Sequence, residues 1–424
     1  MKASELILKI EQGALAALSH IYTDLADQTE RYKSALHAFI AIYGDREARL
    51  FSVPGRIEVE GNHTDHNHGC VLAASIDRDI IAVASPADDG MIRVKSEGYP
   101  EDTVALADCG DSQKFDDFSS AALIAGTVEG FEKRGYKTGA FVAYTANRVL
   151  TGSGLSSSAA FEVMIGNIMS HLYNGGTIGS EELAKIAQFA ENVYFGKPCG
   201  LMDQLACAVG GLLYIDFADP ENPMVEPIEF SFADAGIVLC VLNTGADHAD
   251  LNEEYAAVPA EMKRVAGYFG KEVLRGVSEG DLIANAPVLR KTVGDRALLR
   301  AIHFVRENER VGATAALLKK GDVDGFLAAV LASGDSSYKY LQNVYTVKNA
   351  EEQGLSLALC IAEGVLAGRG CAYRVHGGGF AGTMLAFVRR ELAEDYKTVT
   401  ESVFGEGACA TLAIRPLGAI QIKL

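Results

Sequence analysis

The sequence predicts an α+β fold with more than one domain, on three observations. Helix-period stretches and alternating, strand-like stretches are interleaved along the whole chain. The 424 residues, 49% of them hydrophobic, are enough for two or three domains of roughly 100–200 residues each. An acidic run over 218–235, with prolines at 220, 223 and 227, interrupts the pattern near the middle and marks a candidate domain boundary.

Taken in order, residues 1–50 are helical in pattern. Leu6, Ile7, Ile10, Leu15 and Leu18 line one face, and Tyr32 to Tyr43 make a second helix. Strands are expected at 51–60, 70–75 and 80–85 around a polar loop at 61–69, with one more within 90–106. A helix over 119–134 tolerates Gly126, and a strand at 140–146 feeds the glycine loop described below. The next helix starts at Ser180, read as its cap, and buries Leu183, Ile186, Ala187, Ala190 and Val193. A short helix at 201–209 and a strand at 212–217 precede the boundary. Beyond it come a strand at 237–243, helices to about residue 330, a helix over 350–368, strands at 371–375 and 384–388, and a last strand at 419–424.

The chain is organised around residues 149–169. Gly152-Ser153-Gly154-Leu155-Ser156-Ser157-Ser158 runs straight into a helix whose buried face is Phe161, Met164, Ile165, Ile168 and Met169. Glycines let the backbone approach an anion, three hydroxyls add donors or metal ligands, and the helix N-terminus favours negative charge. The guest that fits is a nucleotide phosphate. The same pattern also reads as a tight turn with a serine cap. No lysine follows at the Walker A position, and Ser157 stands where a dinucleotide fingerprint has its last glycine.

Composition narrows the partners. The net charge of −18 disfavours nucleic acid and anionic membrane, which need basic patches. ATP remains compatible, because its phosphate site is local and a divalent cation masks charge. The eight cysteines are scattered without a Cys-x-x-Cys pair, which suits reduced thiols in a cytoplasmic protein. Glu5 stands where a signal peptide turns apolar, and no apolar run approaches a membrane span.

Three further stretches carry chemistry. In Gly55-Arg56 and Gly61-Asn62-His63-Thr64-Asp65-His66-Asn67-His68, the histidines and Asp65 admit a metal reading, a plain polar loop, or a site for sugar hydroxyls, to which Asn, His and Asp supply donors and acceptors. In Cys199-Gly200-Leu201-Met202-Asp203-Gln204, Asp203 alone reads as a helix cap. The loop at 376–382 reads alone as a flexible hairpin turn.

Together these stretches resemble the galactokinase family of GHMP kinases, in the family's order, across residues 54–388. The triple serine with two alanines is similar to the family's phosphate loop, Gly61–Asn67 to its sugar signature, and Cys199–Gln204 to the segment bearing its catalytic Asp. Two departures stand out: Asn62 replaces the family's Glu and His66 its Tyr. The resemblance implies a two-domain GHMP kinase fold with the active site in the cleft. Its divisions are a helical extension (1–30), an N-terminal domain (31–222) and a C-terminal domain (236–424). It implies ATP-dependent phosphorylation of the galactose C1 hydroxyl, with Asp203 and Arg56 catalytic. Asn62, His63, Asp65, Gly200, Asp203 and Tyr255 would face the sugar, Gly152–Ser158 the nucleotide, and Ser158 and Glu191 Mg²⁺. A monomer binding sugar and ATP is expected. The departures keep open another sugar, such as an N-acetylhexosamine or a pentose, and a non-catalytic galactose and ATP sensor.

Overall fold

The computed structural model describes residues 1–149, 155–197, 199–245 and 251–424, with Asn252 represented by its backbone alone. Gly152, Ser153 and Gly154 of the expected phosphate loop lie outside the described residues. Two helices open the chain, α1 (Ala3–Glu11) and α2 (Leu25–Tyr43). Strands β1 (Arg49–Glu60), β2 (Cys70–Pro86), β3 (Met91–Ser96) and β4 (Glu101–Ala105) follow. Then come α3 (Ser120–Lys133), β5 (Phe141–Asn147), α4 (Ser157–Tyr173), α5 (Ser180–Phe189), α6 (Met202–Val209), β6 (Leu212–Asp216) and β7 (Met224–Ile228). The second half holds β8 (Ile237–Asn243), α7 (Asn252–Tyr268), α8 (Glu279–Thr292), α9 (Asp295–Lys319), α10 (Val323–Ser336) and α11 (Gly354–Leu366). It closes with β9 (Ala372–Val375), β10 (Thr383–Arg389), α12 (Ala393–Phe404), β11 (Cys409–Leu412) and β12 (Ile420–Ile422).

Among the described residues the strands form two sheets. The first has eight, in the order β12-β1-β2-β5-β3-β4, with β6 on the other half of β2 and β7 on β6; the second is β11-β8-β10-β9. Strand β2 is long enough to pair with β6 through Cys70–Ala74 and with β5 through Ile80–Pro86. The two strands expected at 70–75 and 80–85 are therefore one. Its polar middle, Asp77-Arg78-Asp79, looks like a turn in sequence, but the chain stays extended there and β1 shifts register opposite it. The strand expected within 90–106 is a hairpin of two, β3 and β4.

The proline-bearing stretch at 218–235 contains β7, an edge strand paired only with β6, where Pro227 removes no interior hydrogen bond. Helix α5 takes Gly179 as its N-cap, and Ser180 is its first helical residue. Helix α12 and strand β11 are additions to the sequence reading.

Alternation along the central strands buries both faces of the first sheet. Ile80, Ala82 and Ala84 join a core shared with α3 to α6 and with Leu239, Val241 and Phe387 of the second sheet. Ile81 and Val83 join a separate core with Leu6, Ile7, Ile10, Tyr32 and Phe39 of the N-terminal helices. The first helices thus cover a sheet face that would otherwise lie open to solvent. The C-terminal strand β12 returns to pair with β1 at Leu50–Ser52. Strand β1 carries its buried polar end, Arg56 to Glu60, toward the helices of the second half, where it meets α9, α10 and β9.

Candidate active site

Arg56 is placed by a close crossing. A Cβ on Gly55 would stand 2.9 Å from Leu155 O and 2.8 Å from Val149 Cγ1, so only glycine lets β1 run against the segment leading into α4. The Arg56 N–H donates to Leu155 O at 3.2 Å. The Arg56 guanidinium then forks onto the carboxylate of Asp203, Nε to Oδ1 and Nη2 to Oδ2, both at 2.7 Å.

Asp203 is the second residue of α6, and its side chain faces Arg56 rather than capping its own helix. Ser156 precedes α4 in a left-handed conformation, φ 57°, and its hydroxyl donates to Asp203 Oδ2 instead of capping α4. The opening turn of α4 therefore keeps backbone N–H groups available for an anion beside Asp203. Burial raises the Asp203 carboxyl, but the Arg56 charge and hydrogen bonds, with Ser156 and Lys197, outweigh it and hold the group below the ordinary carboxylate range.

In the first turn of α4, Ser158 Oγ donates to Glu191 Oε1 at 3.1 Å. After α5 the chain passes into a π-helical turn, Ala190–Tyr194, which turns the buried Glu191 inward. Lys197 Nζ lies 3.1 Å from the same Oε1, and Gln204 Nε2 donates to Oε2 at 2.7 Å. Buried Glu162, one turn beyond Ser158, receives a longer contact from the same amide at 3.4 Å, and its Oε1 has no hydrogen-bond partner. Burial, then the Glu191 charge, pushes the Glu162 carboxyl well up. A hydroxyl and a carboxylate on rigid elements, with an unsatisfied carboxyl oxygen beside them, form an oxygen-donor set suited to a hard cation such as Mg²⁺.

The signature loop supplies the opposite wall. A Cβ on Gly200 would lie 1.8 Å from Asp65 Oδ2, so the Asp65 carboxylate occupies space that only glycine leaves at position 200. Its Oδ1 accepts from His66 N at 2.9 Å. Burial, and to a lesser degree the charge of Asp203, raises the Asp65 carboxyl to about 6.

Asn62, His63 and Tyr255 converge on the loop at 376–382. Asn62 Nδ2 donates to Gly377 O at 2.6 Å, His63 Nε2 to Gly378 O at 2.9 Å, and Tyr255 Oη to Gly379 O at 2.7 Å. Since a carbonyl only accepts, His63 carries its proton on Nε2. Its Nδ1 then accepts from His66 Nε2 at 3.4 Å, and His66 Nδ1 accepts from Asn67 Nδ2 at 3.0 Å. Both rings are neutral, with burial the main cause, and His66 falls to about 3. His63 and His66 are thus engaged with one another, and His63 with this loop.

Asn62, expected at the sugar, is wholly buried and turned inward. Its Nδ2 also reaches Glu58 Oε1 at 2.8 Å, and its Oδ1 accepts from Asn343 Nδ2 at 2.6 Å. The structure thus brings together Arg56, Asp203 and Ser156, joins Ser158 to Glu191 beside them, and sets Asp65 and Gly200 against each other. Leu155 and Ser157 flank the α4 entrance, Leu155 buried and Ser157 the first helical residue. Sequence reasoning missed Lys197 and Glu162. Only the proximity of Lys197 to the Asp203 segment, and the spacing of Glu162 one turn from Ser158, hint at them.

A mixed sheet and an antiparallel sheet, a helix opening on a serine loop and an arginine–aspartate pair beside it define a small-molecule kinase of the GHMP class. A family model of the GHMP kinases N-terminal domain matches residues 122–211, and one of the galactokinase galactose-binding signature matches residues 37–86. The chain is 34% identical to a galactokinase of Streptomyces coelicolor over 88% of its own length and 92% of that protein's. It is 30% identical to one of Thermotoga petrophila over 81% and 93%. The fold matches the crystal structure of Lactococcus lactis galactokinase complexed with galactose at a TM-score of 0.78, with 24% identity, 91% of this chain and 98% of that one covered. A mevalonate kinase structure matches at 0.60 with 14% identity, covering 86% and 98%. The chain belongs to the galactokinase family.

Proposed function

We infer that this chain transfers the γ-phosphoryl group of ATP to the C1 hydroxyl of galactose, giving galactose 1-phosphate and ADP. The galactokinase relatives support the reaction, and one observation carries its assignment to residues. The carboxylate of Asp203 is held by Arg56 on one side and by Ser156, at the mouth of α4, on the other. A phosphate at that helix end and a hydroxyl at Asp203 are then neighbours.

Phosphoryl transfer passes through a loose transition state in which positioning and charge stabilisation dominate. Arg56 places a fixed charge beside the transferring group. Asp203 accepts a hydrogen bond from the C1 hydroxyl and orients it. Its depressed pKa makes it a weak base, so the proton leaves late, as the bond to phosphorus forms. Asp65 and Tyr255 line the sugar with the backbone of Gly200, while Asn62 and His63 brace the loop behind it. Leu155 to Ser158, with Gly152, Ser153 and Gly154, meet the phosphates. Ser158 and Glu191 would hold Mg²⁺, which when bound neutralises phosphate charge. The active site lies in a cleft between an N-terminal part (31–222) and a C-terminal part (236–424), with residues 1–30 as an extension. A monomer is the expected state. A cytoplasmic setting fits the eight free cysteines. Among the described residues no helix is long and apolar enough to cross a membrane.

An ADP-release assay over a panel of sugars tests this reading. Galactose is expected to turn over in preference to N-acetylgalactosamine and arabinose, and Asp203→Asn to fold, bind ATP and lose about 10³-fold in kcat. ADP release with another sugar alone would replace the substrate, and absence of sugar-dependent release would leave a sensor.

A further inference from the structure

Lys197 stands where the mechanism has no use for it. The loop after the π-helical turn reverses at Gly196, φ 79°, and the Lys197 N–H donates back to Glu191 O at 3.2 Å. Its ammonium then lies 3.1 Å from Glu191 Oε1, the oxygen that also accepts from Ser158 at 3.1 Å. The Lys197 side chain is 54% exposed and that of Glu191 2%. A surface lysine has been brought back onto a buried carboxylate whose other oxygen is fixed by Gln204. Two of the surrounding acidic groups, Glu191 and Asp203, are felt by Lys197.

We propose that Lys197 is a displaceable cation: in the free enzyme it neutralises Glu191 in place of the divalent metal, and once displaced it reaches the transferring phosphoryl group. This rests on the reading of Ser158 and Glu191 as the metal ligands. A divalent cation held by Ser158 and Glu191 would share Glu191 Oε1 with the ammonium, and repulsion between like charges would favour displacement of the lysine. Lys197 is long, unbranched and half-exposed, so leaving Glu191 disturbs no packed core. Asp203, the other carboxylate whose charge Lys197 feels, is the one beside which the phosphoryl group is passed.

Manganese serves as the probe, with Mn²⁺ alone titrated by electron paramagnetic resonance into the full-length protein and no nucleotide present. Lys197→Met, which keeps length and removes charge, is expected to bind Mn²⁺ about tenfold more tightly than the wild type, and Lys197→Arg within a few-fold of it. At saturating Mg²⁺ and ATP, Lys197→Met is expected to lose about tenfold in kcat with the galactose KM held, a split that general loosening of the site does not produce. Unchanged Mn²⁺ affinity in Lys197→Met overturns the displaceable cation, and tighter Mn²⁺ binding with undiminished kcat overturns the contact with phosphate. Glu191→Gln separates the two readings. If it binds Mn²⁺ as the wild type does, the metal assignment fails; if it loses Mn²⁺ while Lys197→Met is unaltered, only the role of Lys197 fails.

Discussion

Two carboxylates flank the reacting centre and are tuned in opposite directions. Asp203 has Arg56 against both oxygens, which holds it below the ordinary carboxylate range. At Asp65 burial outweighs the His66 backbone hydrogen bond and the Arg56 charge, and lifts the carboxyl to about 6. The charged form is the stronger acceptor for sugar hydroxyls. Raising the pH through about 6 should therefore increase kcat/KM for galactose as Asp65 loses its proton, since that ratio reports the free enzyme. Asp65→Asn should abolish this limb and weaken galactose binding. A pH–rate profile whose acid limb survives in Asp65→Asn would exclude Asp65 as its source. The Arg56–Asp203 pairing was legible in sequence because each sits in a compact motif. Ser156 as the third partner was not, since a left-handed serine ahead of a helix leaves no pattern in the residues.

At the scale of elements, three successive carbonyls of the glycine loop, from Gly377, Gly378 and Gly379, are each taken by a side chain from elsewhere. The end of β1 completes the joint. Glu58 N donates to His376 Nε2 at 3.0 Å, and Arg374 Nη1 donates to Val59 O at 2.9 Å. The family's Glu would be out of place at position 62 here, because that position meets two acceptors, Glu58 Oε1 and Gly377 O. Asn62→Glu should destabilise the fold by about 3 kcal/mol, the order of cost for an uncompensated buried charge. Adding Glu58→Gln should restore part of this by removing one of the opposing acceptors. Denaturant unfolding of the two single variants and the double supplies the interaction energy, and additivity would show that the two positions do not communicate.

What the sequence could disclose follows from this. Elements that bury one face, such as α1 and α5, announce themselves by periodicity. The inward turn of Asn62 depends on Glu58, Gly377 and Asn343, which lie far apart in the chain, and β7 was hidden by prolines that an edge strand tolerates.

Over the whole molecule, buried charge ties the ends of the chain to the sheet. Asp79, on β2, accepts from Arg31 of α2 at 2.5 Å, from Arg415 near the C-terminus at 3.1 Å, and from Tyr22 and Ser52 at 2.5 Å each. Tyr22 from residues 1–30 and Arg31 of α2 thereby join the N-terminal helices to the buried middle of β2. A second buried joint links the two halves: Glu60 at the end of β1 faces Glu307 of α9. Glu307 keeps its charge, with Arg310, Ser333 and the Gly61 N–H on it. Burial, then the Glu307 charge, raises Glu60 to about 8, so it keeps its proton at neutrality.

The sign of the linkage follows from the raised value. Stability from the held proton is fully present below the unfolded value near 4.5, declines by about 1.4 kcal/mol per pH unit above it, and is gone past about 8. Glu60→Gln, which never ionises, should therefore gain on the wild type steadily between pH 6 and pH 8 in unfolding experiments. A constant difference across that range would show that Glu60 is already ionised.

The most direct measurement of the central claim is a crystal structure with galactose and a non-hydrolysable ATP analogue. The account predicts the γ-phosphate against the N–H groups opening α4 and the sugar C1 oxygen within hydrogen-bond distance of the Asp203 carboxylate, in line for transfer. Nucleotide bound away from α4, or galactose presenting a different hydroxyl to Asp203, would contradict it.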